Sequence, residues 1–297
     1  ALDYVDYLNP AAIGLDVFFN YPAATDPELI TSLTQCPNLV FPVGLQMING
    51  HASIFGSYFY DDISIEHKGV VNLSANSVRN VIRDFEPEYI VGNDTIRSFS
   101  AELARVAAPE KFEALMARGR SKETINYPSW EFEIIPAEAL SNGDIPLEEV
   151  RQSIEGKVVL IGNIFDQSDF HLTPIDEGMA GLLIHARALQ TILDSCYIEE
   201  TSEAISWVMA IALSFIFILL VLVIKKRCAF EGCFVRFLQL ALMYAFLVLG
   251  CNVFAHRGDY LNFAPTLLML GLGMLAMDIW LGLLKAVKIH IHKNRKR

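Results

Sequence analysis

Three long apolar runs dominate the last third of the chain. Residues 204–224 contain no charged side chain, and fourteen of them are Ile, Leu, Val or Phe. At 1.5 Å per residue, a helix of this length crosses the roughly 30 Å hydrocarbon core of a bilayer. Two more apolar runs, 237–254 and 261–284, follow after short polar connections. The pattern predicts an all-α transmembrane bundle of three helices within residues 204–297.

Residues 1–203 show shorter apolar segments instead. Three of these have the length of buried strands: residues 11–19, 38–44 and 157–162. A helix signal separates the first two, with Asp26 as the expected N-cap and Pro27 at the first helical position. Strand, helix and strand in this order predict a parallel βαβ unit. We therefore expect an α/β domain with a largely parallel sheet over residues 1–203.

The remaining pattern of this region is less regular. Helical periodicity is visible over residues 98–107, 109–117 and 180–196. Apolar and β-branched residues predict further strands at 125–127 and 131–135. Residues 46–97 are expected to contain a strand pair and long loops.

The charge distribution separates the same two regions. Residues 1–203 carry a net charge of −19 and residues 204–297 a net charge of +8, which together give the −11 of the whole chain. The acidic region lacks the clustered Lys and Arg that nucleic acid requires, so we expect no nucleic-acid partner. Basic residues at 225–227, at Arg236 and in the tail 293–297 predict a cytoplasmic side. Residues 1–203 would then be periplasmic, outside a bacterial inner membrane.

The start of the sequence bears on this topology. The first residue is Ala1, and no signal peptide is visible. We therefore expect an upstream transmembrane helix and an initial strand that precede this sequence.

Two charged residues fall within the predicted spans. Asp278 lies inside the third span, and Arg236 stands at the mouth of the second. A charge inside the bilayer is costly unless it is paired or hydrated. The sequence predicts a structural Arg236–Asp278 pair, with a signalling or proton-linked carboxylate as the alternative.

The loop after the 157–162 segment is the best candidate for a ligand site. It follows the carboxyl end of a predicted parallel strand, where α/β folds usually bind ligands. The candidate ligand-binding residues in and around it are Asp16, Asn163, Asp166, Asp169, Thr173 and His185. The alternative is structural, with the loop residues capping turns and His185 buried in a helix. The backbone at Gly181 is expected to offer N–H groups to an anion.

No catalytic constellation is apparent. There is no nucleophile elbow and no P-loop, so we expect neither an enzyme nor a cofactor. The spacing of Asp166, Asp169 and His171 permits a metal site, but no recognised ligand frame supports one, and we expect none. Cys36 and Cys196 allow one disulfide, and the pattern does not decide whether it forms.

Several segments of the first region together carry a family resemblance. They are residues 12–19, 26–29, 127–140 and 156–162, followed by Asp169, Thr173-Pro174, Met179, Gly181 and His185-Ala186. In this order and spacing they resemble the signature of CHASE2 sensor domains, and the resemblance continues through residues 260–265. It implies an extracytoplasmic domain that senses a ligand or stress, usually preceded by one transmembrane helix and followed by three. A cytoplasmic cyclase, kinase or phosphodiesterase domain often comes next, and this sequence shows none.

These observations predict a membrane-anchored sensor or receptor subunit that signals through a partner protein. The partner would contact the transmembrane helices or the cytoplasmic tail, and an unidentified small ligand would bind outside. A structural or scaffolding subunit of a larger cell-envelope complex is the alternative. Homodimer formation stays open.

Overall fold

The computed structural model describes residues 2–74, 80–128, 130–227 and 231–295. The chain divides into two compact units, Ala1–Tyr197 and Ile198–Arg297. The division falls close to the predicted boundary after residue 203.

The described strands are short except for β2. In chain order, β1 to β13 are Ala12–Asp16, Leu39–Ile48, His51–Phe55, His67–Val70, Asp84–Phe85, Glu88–Val91, Asp94–Arg97, Glu123–Thr124, Val158–Gly162, Phe170–His171, Met179–Ala180, Glu199–Glu200 and Asp259–Tyr260.

The helices are short in the first unit and long in the second. In chain order, α1 to α10 are Leu2–Tyr7, Asp26–Gln35, Phe99–Ala107, Pro109–Ala117, Ala137–Asn142, Leu147–Ile154, Gly181–Leu193, Glu203–Arg227, Glu231–Arg257 and Ala264–Arg295.

The main sheet has the predicted parallel core. Strand β1 pairs in parallel with β2 on one side and with β9 on the other. Strand β2 pairs in parallel with β4, whereas β3 is antiparallel to the far half of β2. The α/β class and the βαβ unit formed by β1, α2 and β2 are therefore confirmed.

Alternation along the strands creates a core on each face of the sheet. On β1, Ala12 packs with helices α3, α4 and α7. Its neighbour Ile13 packs with α1, α2 and α6. The first unit is therefore a sheet between two layers of helices, and its central strands are buried on both faces.

Two local predictions differ from the structure. Helix α2 has Thr25 as its N-cap, and Asp26 is its first residue. The Asp26 carboxylate accepts a hydrogen bond from the Ala23 backbone N at 2.5 Å and another from the Tyr58 hydroxyl. Asp26 therefore connects the segment before α2 to Tyr58, which is 32 residues away in sequence. Local sequence spacing does not predict such a contact.

The strands predicted at 125–127 and 131–135 are absent from the described part of those segments. The backbone N of Asn126 donates to Thr191 Oγ1 at 3.0 Å, and its side chain donates to the Cys196 carbonyl at 3.1 Å. These hydrogen bonds, to Thr191 in α7 and to Cys196 after it, take the place of pairing with a β-strand. Cys196 and Cys36 are both free cysteines.

The second unit consists mainly of α8, α9 and α10. Glu203–Ile224 and Phe234–His256 are long and apolar enough to cross a membrane, and only 22% and 6% of their apolar windows are buried. Such exposure does not fit core helices of a soluble protein, because those bury their apolar side chains. Two of the predicted spans are therefore supported, and they indicate membrane anchoring.

The third predicted span, 261–284, is not confirmed. Helix α10 begins at Ala264, and its described apolar stretch ends at Trp280. The structure thus supports two membrane helices and does not establish a three-helix bundle.

Candidate functional site

The candidate site lies at the carboxyl ends of β1 and β9. Asp16 and Gly162 end these strands and are paired in register. A side chain at position 162 would come within 3.2 Å of the Asp16 carbonyl and 3.0 Å of Leu182. Glycine here lets α7 approach the ends of both strands.

Asp16 is a partly buried carboxyl group. Burial raises its pKa to about 6, and the negative charge of Asp169 contributes to the increase. The two carboxyl groups therefore lie near each other, as the sequence suggested for the strand end and its loop. Their mutual repulsion favours a nearby cation or the protonated form of Asp16.

Asp169 accepts a hydrogen bond from the first residue of helix α7, although it lies twelve residues earlier in the sequence. The pairing of β10 with β11 sets Phe170 opposite Ala180, so Asp169 is next to Gly181. The Gly181 backbone N donates to Asp169 Oδ2 at 3.1 Å, and a Cβ at position 181 would be 2.7 Å from the same oxygen. Asp169 already accepts the Gly181 N–H, which supports the structural alternative for the loop, and anion binding at this helix start stays a prediction.

His171 adds a titratable ring beside this pair. Its Nε2 lies 3.2 Å from Asp169 Oδ1, and both side chains are partly exposed. Asp16, Asp169 and His171 thus give the edge of the sheet an acidic character with one imidazole.

Three other candidate residues are used in local turns. Asn163 Oδ1 accepts from the Phe165 N at 2.9 Å. Asp166 Oδ1 accepts from the Ser168 N at 2.9 Å, and these bonds to Ser168 lower the Asp166 pKa. Thr173 is buried and exchanges hydrogen bonds with the Asp176 backbone. These hydrogen bonds hold all three residues in local turns of the loop.

His185 is buried inside the first unit. Its Nε2 lies 3.1 Å from the Val71 carbonyl, and its ring meets Phe99 edge-on. Burial lowers the His185 pKa to about 4, so the neutral ring donates its Nε2 hydrogen to Val71. It lines a small cavity with room for about one water molecule, which supports the structural alternative over ligand contact.

Among the described residues, no group of three or more His, Cys, Asp or Glu side chains is arranged to hold a metal ion. Asp166 bonds to Ser168, so the spacing of Asp166, Asp169 and His171 does not become a three-ligand site.

Sequence reasoning missed a buried ionic cluster on α3. Glu102 is almost fully buried and accepts from Arg105 Nη2 at 2.6 Å. Arg97 Nη1 lies 3.5 Å and His67 Nδ1 3.1 Å from the same carboxylate. His67 is 35 residues from Glu102 in sequence, whereas Arg97 and Arg105 lie within five residues of it. The Glu102–Arg105 spacing on one helix was the local signal.

The structure places the two intramembrane candidates in contact. Arg236 Nη2 forms an ion pair with Asp278 between α9 and α10. Arg236 Nη1 also donates to Gln239 Oε1 at 3.1 Å, and Gln239 Nε2 donates to the Leu270 carbonyl at 3.1 Å. Gln239 was not predicted, although it lies three residues after Arg236 on the same helix face.

Comparison with known proteins adds the family. No curated protein and no solved structure matches this chain. The sequence model of the CHASE2 domain matches residues 1–225, which includes the whole first unit and most of α8. The chain therefore belongs to the CHASE2 family of extracellular sensor domains.

Proposed function

We propose that this protein is a membrane-anchored receptor subunit of the bacterial inner membrane. Its first unit senses a small ligand or a proton outside the cytoplasm and carries out no catalysis. The membrane helices then pass the change to a partner protein. The observation that carries this proposal is the family match, because it continues from the sensor unit into α8.

The proposed ligand site is the acidic edge formed by Asp16, Asp169 and His171. Two nearby carboxyl groups at the ends of parallel strands suit a cationic ligand or a proton. Asp169 also holds the first turn of α7. A ligand that recruits this carboxylate would release the helix N-terminus, which is a direct route from binding to a helix movement.

The topology supports signalling across a membrane. Strands β12 and β13 pair, so residues 199–200 and 259–260 lie side by side in the second unit. The Thr201 N donates to the Tyr260 carbonyl at 3.1 Å. This is the arrangement expected when α8 crosses the bilayer and α9 returns. The basic residues 225–227 at the end of α8 support a cytoplasmic position for the connection to α9, by the positive-inside rule.

The partner is tested by affinity purification of the full chain in mild detergent, followed by mass spectrometry. We expect a cytoplasmic kinase, cyclase or regulator to co-purify. Changing Lys293 and Arg295 to Gln is expected to reduce its recovery, whereas the same change at Lys111 in the sensor unit serves as the control. A stoichiometric, ligand-independent set of envelope proteins would favour the scaffolding alternative. An eluate without any specific partner would contradict the proposal.

A further inference from the structure

A buried arginine on α7 has an unusual environment. Arg187 is only 6% exposed. Its guanidinium lies 4.9 Å from the Trp130 ring and 4.5 Å from the Phe132 ring. Nη2 donates to the Trp130 carbonyl at 2.5 Å, but the buried Nη1 has no hydrogen-bond partner.

Other buried ionic contacts in the first unit are satisfied differently. Glu102 is bound by Arg105, and buried Glu123 is bound by Arg118. In both cases arginine and carboxylate neutralise each other. No carboxylate of the described residues lies within ion-pair distance of Arg187. Burial lowers the Arg187 pKa, and the charge of Glu131, which lies beyond ion-pair distance, only partly opposes this effect. A buried cation without a direct anionic partner is costly, so Nη1 is available to donate to an anionic ligand.

Residues 130–136 cover the Arg187 side chain, and they form neither a helix nor a strand. Trp130 is 45% exposed, and its ring covers the Arg187 guanidinium on the solvent side. Opening this segment would expose Nη1 and would break the hydrogen bonds from Arg187 Nη2 to the Trp130 carbonyl and from Ser153 Oγ to Glu133.

We propose that Arg187, Trp130 and Phe132 form a binding site for a small oxyanion, which accepts a hydrogen bond from Arg187 Nη1 beneath the 130–136 segment. Carboxylate and phosphate share the chemistry that guanidinium recognises. The two aromatic rings would hold the guanidinium in place and cover an organic substituent of the ligand. This site is separate from the acidic edge and does not depend on the partner protein proposed above.

Hydrogen–deuterium exchange of the wild-type full chain in mild detergent provides the direct test. The probes are sodium acetate and inorganic phosphate, each compared with chloride at equal ionic strength. We expect saturable protection of peptides that cover residues 126–136 and 183–190. Protection by only one probe would identify the class of oxyanion. Unchanged exchange with both probes would overturn the proposal and leave water as the partner of Nη1.

Variants then assign the effect to the guanidinium. Arg187→Gln and Arg187→Lys both remove Nη1, and each is expected to weaken the protection roughly tenfold or more, the value of one charge-assisted hydrogen bond. Arg151→Gln on α6 is the matched control and should behave as wild type. Equal protection in the wild type and in a folded Arg187 variant would contradict the site. Because the wild-type exchange is decisive by itself, a variant that fails to fold does not prevent the test.

Discussion

At the residue scale, the acidic edge depends on where a few carboxylates lie. Asp169 is fixed by the Gly181 N–H, whereas Asp16 is partly buried beside it and has a pKa of about 6. A carboxyl group with such a value changes its charge close to neutral pH. The proposed site therefore contains one group that titrates near neutral pH.

The stability of β1 and β9 should report this protonation. Because folding raises the Asp16 pKa from 3.8 to about 6, the associated stability is fully present below about pH 4 and is lost as the pH rises through 6. Asp16→Asn cannot ionise. We expect its stability advantage over wild type to be about 2 kcal/mol larger at pH 7.5 than at pH 4.5.

The measurement is hydrogen exchange of peptides from β1 and β9 at both pH values, since it reports local opening. Asp94→Asn, at an exposed position on β7, is the control for a lost negative charge. An equal effect of Asp16→Asn at the two pH values would show that Asp16 is not perturbed by folding.

At the element scale, α9 and α10 are joined by polar contacts among apolar side chains. Arg236 bonds to both Gln239 and Asp278, and Gln239 reaches the Leu270 carbonyl. Because each of these polar groups has its partner on the facing helix, the contacts favour one register of the two helices. They connect α9 and α10 at two points, Arg236–Asp278 and Gln239–Leu270.

A double-mutant cycle measures this connection. Asp278→Asn and Arg236→Gln are each expected to destabilise the packing of α9 on α10. The double variant should lose less than the sum, with a coupling of about 1 kcal/mol, as for other interhelical polar contacts in membranes. Unfolding is followed in mixed detergent micelles. Asn252→Ala is the control because its side chain donates to the Val248 carbonyl in its own helix. Strictly additive effects would exclude the coupling.

At the scale of the whole molecule, charge and hydropathy divide the chain in the same place. The acidic sensor region is followed by apolar helices with a net positive charge. A strongly negative domain is repelled by anionic lipid headgroups. The membrane anchor therefore rests on α8 and α9, not on adsorption of the sensor unit.

The proposed orientation predicts which positions a membrane-impermeant thiol reagent can reach. In a chain whose native cysteines are replaced by serine, Asp94→Cys and Tyr260→Cys should react in cells with a permeabilised outer membrane. Lys293→Cys should react only after the inner membrane is opened. Labelling of Lys293→Cys in intact inner membranes, or protection of Tyr260→Cys, would refute the orientation.

Local signals in the sequence determined much of this architecture. The apolar runs identified β1, β2, β9 and the first two membrane helices, because doubly buried strands and spans need continuous apolar residues. Ser98 was recognisable at the start of α3, and the structure shows its hydroxyl accepting from the Ala101 N. The Asn49-Gly50 pair, with positive φ at both residues, is an equally local hairpin signal that could have located β2 and β3.

The tertiary structure alone decided the sites. The strand propensity of Ile125, Tyr127 and Phe132 did not produce strands. Instead, the Asn126 N donates to Thr191 Oγ1, and the Trp130 carbonyl accepts a hydrogen bond from Arg187. Whether a polar residue faces a ligand or closes a turn depended likewise on partners distant in sequence, as with Asp169 and Gly181. The periodicity of apolar residues indicates which side chains are buried. It does not indicate which distant residues they contact, because the packing of whole helices and strands determines the distances between them.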